Sequence, residues 1–171
     1  IAIIGPECTG KTTLAQELSV KLNAVYVPEY ARIYTANKNR ELIADDIWNI
    51  ANGQIELEKK TLDKVNKNKY KNKYIIFDTT LINTCMYAQL YYNKQFSELD
   101  KLCAALTYDF CFLMDYQDVA WVSEDFQRSN IDSRVRQYKL LKQILNRFNI
   151  NFIEIGGKLS SRVKKIYNIV S

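Results

Sequence analysis

Eight residues near the amino end, Gly5-Pro6-Glu7-Cys8-Thr9-Gly10-Lys11-Thr12, leave this chain few folds to choose from. They follow the apolar run Ile1 to Ile4 and precede Leu14, Leu18 and Leu22, which recur at four-residue spacing beside Ala15. Four-residue recurrence predicts a helix with one apolar face, over Lys11 to Leu22. The order is therefore strand, glycine turn, helix. Glycines without side chains let the backbone curl so that successive N–H groups point at one spot. The spacing G-x-x-x-x-G-K-T in that context is the pattern of a phosphate loop, with the helix amino terminus adding its own positive field. Lys11 is expected to bridge the outer phosphates of ATP, and the Thr12 hydroxyl to hold Mg²⁺. Nucleotide contacts are predicted for Gly5, Glu7, Cys8, Thr9, Gly10, Lys11, Thr12 and Thr13. Cys8 is expected to act through its backbone. The bland alternative is an ordinary glycine-containing turn between strand and helix.

The rest of the chain repeats the strand-then-helix rhythm, which predicts an α/β fold with a parallel sheet. Strands are expected at Ile1 to Ile4, Ala24 to Val27, Tyr74 to Phe77, Tyr108 to Met114 and Asn151 to Ile155. These runs are nearly continuous in apolar residues, as in five strands covered by helices on both faces. A long helix from Asp45 to Asn66 carries Ile47, Ile50, Leu57 and Val65 on one stripe, with polar Gln54 among them, and Trp48, Ile55 and Leu62 on the next. Further helices are expected at Thr80 to Tyr92, Ser97 to Leu106, Arg134 to Phe148 and Ser160 to Val170. With 171 residues, 47% hydrophobic and only five Gly and two Pro, the whole of 1–171 reads as a single domain with its own core.

Charge and composition narrow the partners. The net charge of +5 favours anionic ligands, whether nucleotide or nucleic acid. Lys59, Lys60, Lys64, Lys67, Lys69, Lys71 and Lys73 crowd the end of the long helix. There they complement its dipole and keep the surface solvated; a nucleic-acid patch is the less favoured reading. No run of eighteen apolar residues and no leader pattern occurs, so no membrane span is expected. Cys8, Cys85, Cys103 and Cys111 show no C-x-x-C pairing and read as reduced thiols of a cytoplasmic protein. Ile1 already lies inside an apolar run, so the chain reads as part of something longer. There is no histidine. Proton transfer must then use a carboxylate, Lys, Tyr, Cys or water.

Ligands of open parallel sheets sit beyond the carboxyl ends of the strands. Polar residues at those ends are thus the candidates for chemistry. Asp78 follows Tyr74-Ile75-Ile76-Phe77 and is expected to serve Mg²⁺ and the substrate; its alternative is the N-cap of the next helix. Glu29, after Pro28, is expected to accept a proton from an attacking hydroxyl; its alternative is a salt bridge to Arg32. Which of Glu29 and Asp78 is the base stays open at this point. Residues 117–136 are rich in charge and read as a lid, with Arg128 the preferred arginine for closing on phosphates and Arg134 a further nucleotide contact. Arg134 and Arg136 read equally as a solvated helix face.

The segments Gly5 to Thr12, Val27-Pro28-Glu29-Tyr30-Ala31-Arg32, Gly53-Gln54, Phe77-Asp78-Thr79 and Asp118-Val119-Ala120-Trp121-Val122 occur in the order seen in ribosylnicotinamide kinase domains, which this chain resembles from Ile1 to about Ile155. The resemblance implies a nucleoside-monophosphate-kinase-like P-loop fold with a lid. It implies transfer of the γ-phosphoryl group of ATP, with Mg²⁺, to the 5′-hydroxyl of nicotinamide riboside. Lys11, Glu29, Asp78 and Arg128 would be catalytic, and Glu29, Tyr30, Arg32, Gln54 and Asp78 would line the nucleoside. An adenylyltransferase domain precedes such kinases in their natural bifunctional proteins. Where that family carries Asp this chain has Thr80, where it carries Ser it has Cys8, and Pro28 replaces a tryptophan that some members stack on the nicotinamide ring. Tyr30 is the substitute candidate for ring contact. Two other functions stay in view: a regulatory module that binds ATP without turnover, and a nucleic-acid-linked ATPase.

Overall fold

The computed structural model describes residues 1–36, 38, 40–67, 74–93, 96–119 and 131–171. In chain order the elements are β1 (Ala2–Ile4), α1 (Lys11–Lys21), β2 (Val25–Val27), α2 (Tyr30–Ala36), α3 (Ala44–Lys67), β3 (Ile75–Asp78), α4 (Leu81–Tyr92), α5 (Ser97–Ala104), β4 (Cys111–Met114), α6 (Ile131–Arg147), β5 (Ile153–Ile155) and α7 (Leu159–Val170). The strands form one sheet in the order β2-β3-β1-β4-β5, and every neighbouring pair is parallel. β1 is therefore central, and the expected α/β sheet is the one the chain forms.

Alternation along the central strands explains why helices lie on both faces, since successive side chains point to opposite sides. Ala2, Ile4, Cys111 and Leu113 enter a core shared with Ile47, Leu81, Ile82, Met86, Leu141 and Leu145 from α3, α4 and α6. Ile1, Ile3, Phe112 and Met114 enter the other core, against Leu14 and Leu18 of α1 and Val163 and Ile166 of α7. Each face buries its own apolar layer, so the continuous apolar runs follow directly from two-sided burial. Residues 2–4, 75–78 and 111–114 pair in register as Ala2 with Phe77 and Cys111, and Ile3 with Asp78 and Phe112. The carboxyl ends of β1, β3 and β4 consequently lie level, at the edge where the glycine turn sits.

Several boundaries differ from the sequence reading. β4 begins at Cys111 rather than Tyr108, and β5 at Ile153 rather than Asn151. α6 begins at Ile131, before Arg134. The helix α2 was not expected at all: its seven residues, Tyr-Ala-Arg-Ile-Tyr-Thr-Ala, bury none of their side chains and offer no apolar stripe to detect. On α3 the first stripe is buried at Ile47, Ile50 and Gln54, but of the second only Ile55 packs on the core, while Trp48 and Leu62 are exposed. Burial on α3 stops at Gln54, because the helix runs on past the sheet it covers. Of the lysine-rich tail, Lys69, Lys71 and Lys73 lie outside the described residues. Among those described, no helix is long and apolar enough to cross a membrane.

A buried carboxylate ties α2 to α3. Asp46 accepts from both terminal nitrogens of Arg40 at 2.7 and 2.9 Å, from the Tyr34 hydroxyl at 2.6 Å and from Ile43 N at 2.9 Å. Hydrogen bonding from Arg40 holds its carboxyl well below the usual carboxylate range. A depressed folded-state pKa means that this stabilisation is present above the unfolded value near 4 and is lost as pH falls below it. Asp46→Asn should lower Tm by at least about 4 °C at pH 7, as expected for losing charge-assisted bonds in a chain of this size. The deficit should shrink as pH falls below about 4. A thermal melt of both proteins across pH 3 to 8 checks this, and equal Tm values at pH 7 would contradict it.

Candidate active site

The glycine turn connects β1 to α1 and is pinned from outside by three elements. Gly5 lies so close to β4 that a Cβ there would sit 2.8 Å from Met114 Cβ, so glycine is required for the approach. Gly10 caps α1 at φ 74° with open space around it, so there the requirement is backbone conformation. From α4, Asn83 Nδ2 donates to Gly5 O at 2.9 Å. From α6, Gln137 Oε1 accepts from Glu7 N at 2.8 Å. From α7, Arg162 Nη1 donates to Thr9 O at 2.9 Å. Within the turn, Thr9 Oγ1 and Lys11 Nζ both donate to Pro6 O, at 2.8 and 2.7 Å. Cys8 takes a positive φ of 53° within the turn. Thr12 and Thr13 lie on the first turn of α1, whose first turn holds no acidic side chain and whose N-cap makes no side-chain bond. An anion is the natural complement to that terminus.

The charges of three carboxylates act on Lys11. Its pKa is lowered by burial, and the charges of Glu29, Asp78 and Glu7 oppose that fall. Asp78 closes β3 and is 1% exposed; its Oδ2 accepts from the Tyr26 hydroxyl at 2.9 Å, while Oδ1 is buried with no protein hydrogen bond. The alternative of Asp78 as a helix cap does not hold. Thr80 caps α4 instead, accepting from Ile82 N at 3.3 Å. Glu29 stands between β2 and α2 with its side chain 14% exposed, and Arg32 Nε donates to its Oε2 at 3.0 Å. Burial pushes the Glu29 carboxyl up, against the downward pull of Lys11 and Arg32. Glu29 therefore makes the salt bridge to Arg32, while the charge of Lys11 also acts on its carboxyl.

Mg²⁺ takes hard oxygen donors and commonly only one or two carboxylates, leaving other positions to phosphates and water. Asp78 fits that requirement, because Oδ1 is a buried oxygen with an unused lone pair beside the phosphate turn. Among the described residues no group of three or more His, Cys, Asp or Glu gathers into a protein-only metal site. The donor set suits an ion shared with a nucleotide. Asp78→Asn should then raise the Mg²⁺ concentration needed for half-maximal nucleotide binding by about tenfold, the scale of one charge-assisted contact. A titration of Mg²⁺ against AMP-PNP binding reads this, and an unchanged midpoint would return Asp78 to a structural role.

The remaining candidates divide. Tyr30 N donates to Gln54 Oε1 at 2.9 Å, and Gln54 Nε2 donates to Glu58 Oε1 at 2.8 Å. Gln54 thus uses its amide oxygen to hold the start of α2, next to Glu29, and its amide nitrogen to bond Glu58 one turn further along α3. The Tyr30 ring packs on Gly53, where a Cβ would lie 1.9 Å from it, so Gly53 is what lets α2 approach α3. Arg134 is buried and donates from Nη1 to Val119 O at 3.0 Å, with its guanidinium 6.0 Å from the Tyr116 ring centroid; these contacts hold α6 to residues 116–119. Arg128 and residues 120–130 of the expected lid lie outside the described residues. Sequence reasoning missed Tyr26, Asn83, Gln137 and Arg162, and also Tyr87 of α4, which bonds the Glu7 side chain and stacks at 5.8 Å on Tyr91. No local pattern marks them, since each bonds a residue of the site far away in sequence.

Against known proteins, the family described as AAA domain matches residues 1–162. The trifunctional NAD biosynthesis/regulator protein NadR of Escherichia coli strain K12 is 24% identical over 91% of this chain, which covers 37% of that protein. The protein of the same name from Salmonella typhimurium is also 24% identical, with the same coverage. The chain thus spans little more than a third of the curated relatives it matches. Among solved structures, NadR in complex with NR has a TM-score of 0.81 at 23% identity, over 99% of this chain and 49% of that one. NadR in complex with NAD and AMP-PNP has a TM-score of 0.78 at 23% identity, over 99% and 47%. Thymidylate kinase from Ehrlichia chaffeensis has a TM-score of 0.70 at 14% identity, over 99% and 97%. The fold is accordingly the P-loop, nucleoside-monophosphate-kinase-like one.

Proposed function

Because the chain belongs to the AAA-domain family, we propose that its phosphate loop serves an ATP-dependent kinase that phosphorylates the 5′-hydroxyl of a nucleoside, nicotinamide riboside first among them. The observation that carries this reading is that Asp78, at the end of β3, and Glu29, just past β2, lie close enough for their charges to act on Lys11 at the head of α1. A phosphate-binding turn by itself serves many reactions. A buried carboxylate facing the loop lysine, in a chain without histidine, is what phosphoryl transfer to an alcohol needs. The choice of nicotinamide riboside is supported by the likeness to NadR, one of whose structures is of a complex with NR.

In this reading the loop N–H groups and the α1 terminus hold the phosphates, and Lys11 leaves Pro6 O to meet the outer phosphate oxygens. Thr12 and Asp78 would hold Mg²⁺, which when bound neutralises charge on the transferring group. Glu29 takes the proton of the 5′-hydroxyl as its oxygen bonds to the γ-phosphorus and the bond from phosphorus to the β,γ-bridging oxygen breaks. ADP leaves with that oxygen. Arg32 holds Glu29 in place, and Gln54 fixes the helix turn from which Glu29 projects. Arg128 and the lid belong to the proposal for closure over the phosphates. So does an adenylyltransferase domain ahead of Ile1, with a cytoplasmic setting for both.

The test is kcat/KM with MgATP for nicotinamide riboside, uridine, cytidine and deoxynucleosides, reading ADP and the nucleoside monophosphate by chromatography. A preference for nicotinamide riboside is expected. A clear preference for another nucleoside would keep the kinase and remove the acceptor. Transfer to every nucleoside at the uncatalysed rate, with ATP bound, would favour a regulatory module.

A further inference from the structure

Arg162 of α7 is, among the described residues, the largest of the fully buried side chains, at 2% exposure. Its guanidinium spends its donors on three carbonyls from three separate segments. Nε donates to Gly157 O at 2.6 Å, Nη1 to Thr9 O at 2.9 Å and Nη2 to Asp115 O at 2.8 Å. These are the turn before α7, the phosphate loop and the end of β4. Asp115 and Asp118 lie near enough to be felt as charges, yet among the described residues no carboxylate pairs with it. A buried cation satisfied only by carbonyls is costly unless an anion completes it.

The contact with Thr9 has a directional consequence. In a trans peptide the C=O and the following N–H point in opposite directions. Arg162 draws the Thr9 carbonyl to the underside of the loop, so the Gly10 N–H, at the head of α1, is turned to the opposite side. The Pro6–Glu7 peptide is turned the other way. Its carbonyl accepts from Lys11 and Thr9 inside the loop, and its N–H goes outward to Gln137. Successive loop peptides are therefore set by partners on different helices.

We propose that Arg162 is a positioning residue for phosphate recognition: it fixes the Thr9–Gly10 peptide so that the Gly10 N–H donates to a nucleotide phosphate, and it places a positive charge directly behind that donor. A cation on the carbonyl polarises the peptide and strengthens its N–H as a donor to an anion. The fork geometry matters as much as the charge, because one ammonium cannot hold three carbonyls in three directions. The inference rests on the phosphate-loop half of the proposed function and is independent of which nucleoside is the acceptor.

Arg162→Lys keeps the charge without the fork, and Arg162→Gln keeps some hydrogen bonding without the charge. For both, calorimetric Kd for Mg·AMP-PNP should rise at least about tenfold, the scale of one misplaced hydrogen bond. The Kd for nicotinamide riboside should stay within about twofold, as for a site whose contacts are untouched. The Tm increase that Mg·AMP-PNP gives the wild type should shrink in parallel. A purely structural arginine would lower the Tm of the free protein and leave the Kd of the folded fraction unchanged, and that result would overturn the proposal. Should both variants fail to fold, the wild-type Arg162 Nε–H resonance answers instead: it should shift on adding Mg·AMP-PNP and not on adding nicotinamide riboside, and no shift would overturn the proposal. A wild type that binds no AMP-PNP would remove the phosphate-loop reading, and this inference with it.

Discussion

Lys11→Ala should slow phosphoryl transfer by roughly 10³-fold or more and weaken ATP binding, since removal of one preorganised donor at a developing charge already costs about 10²–10³-fold. The loss is expected at the upper end because of what remains. The charges of Glu29, Asp78 and Glu7 all act on this ammonium, and without it their repulsion of the nucleotide's phosphates loses its main offset. Burial lowers the Lys11 pKa in the free protein below its ordinary value, so the alkaline limb of kcat/KM should fall earlier than an exposed lysine would give. Single-turnover transfer from γ-labelled ATP measures the rate, and Mg·AMP-PNP calorimetry the affinity. A rate near that of the wild type would remove the phosphate-loop assignment.

Glu29→Gln should lower kcat by about 10²–10⁴-fold with ATP affinity little altered, the usual range for losing a general base. The substitution keeps shape and still offers Arg32 Nε an acceptor, so the loop between β2 and α2 should hold its place. Because burial raises the Glu29 pKa in the free protein, protonation of the base should depress wild-type kcat/KM at a pH above the ordinary carboxylate value near 4.5. That acid limb should vanish in Glu29→Gln, which has nothing left to titrate there. A pH profile of kcat/KM for both proteins separates this from loss of packing, which would lower the rate without removing the limb. An unchanged kcat would transfer the role of base to Asp78.

The candidate active site was legible in proportion to how local its parts are. The loop from Gly5 to Thr12 is read from spacing alone, because curling a backbone round phosphates demands glycine at fixed positions. Asp78 and Glu29 were legible because each follows an apolar strand, and strand ends of a parallel sheet converge. The short helix α2 was not, since it buries no side chain and exists by courtesy of Gln54 capping it from α3 and Asp46 tying it down. Gln54 itself stood out as polar on an apolar stripe, but only the fold reveals that both ends of its amide bond protein atoms.

Periodicity and glycine spacing, both properties of neighbouring residues, determined by themselves that this chain builds a helix-covered parallel sheet with a phosphate turn at its amino end. The strand order β2-β3-β1-β4-β5 was beyond them, because any of several orders buries the same apolar runs. Tertiary structure alone decided which distant side chains hold the turn: Asn83, Gln137 and Arg162 lie between 78 and 153 residues from the loop atoms they bond. A lone polar residue on a helix carries no mark of the partner it will meet. Arg162 is the clearest case, a charged residue that reads as surface in its helix and becomes core because three chain segments turn their carbonyls toward it.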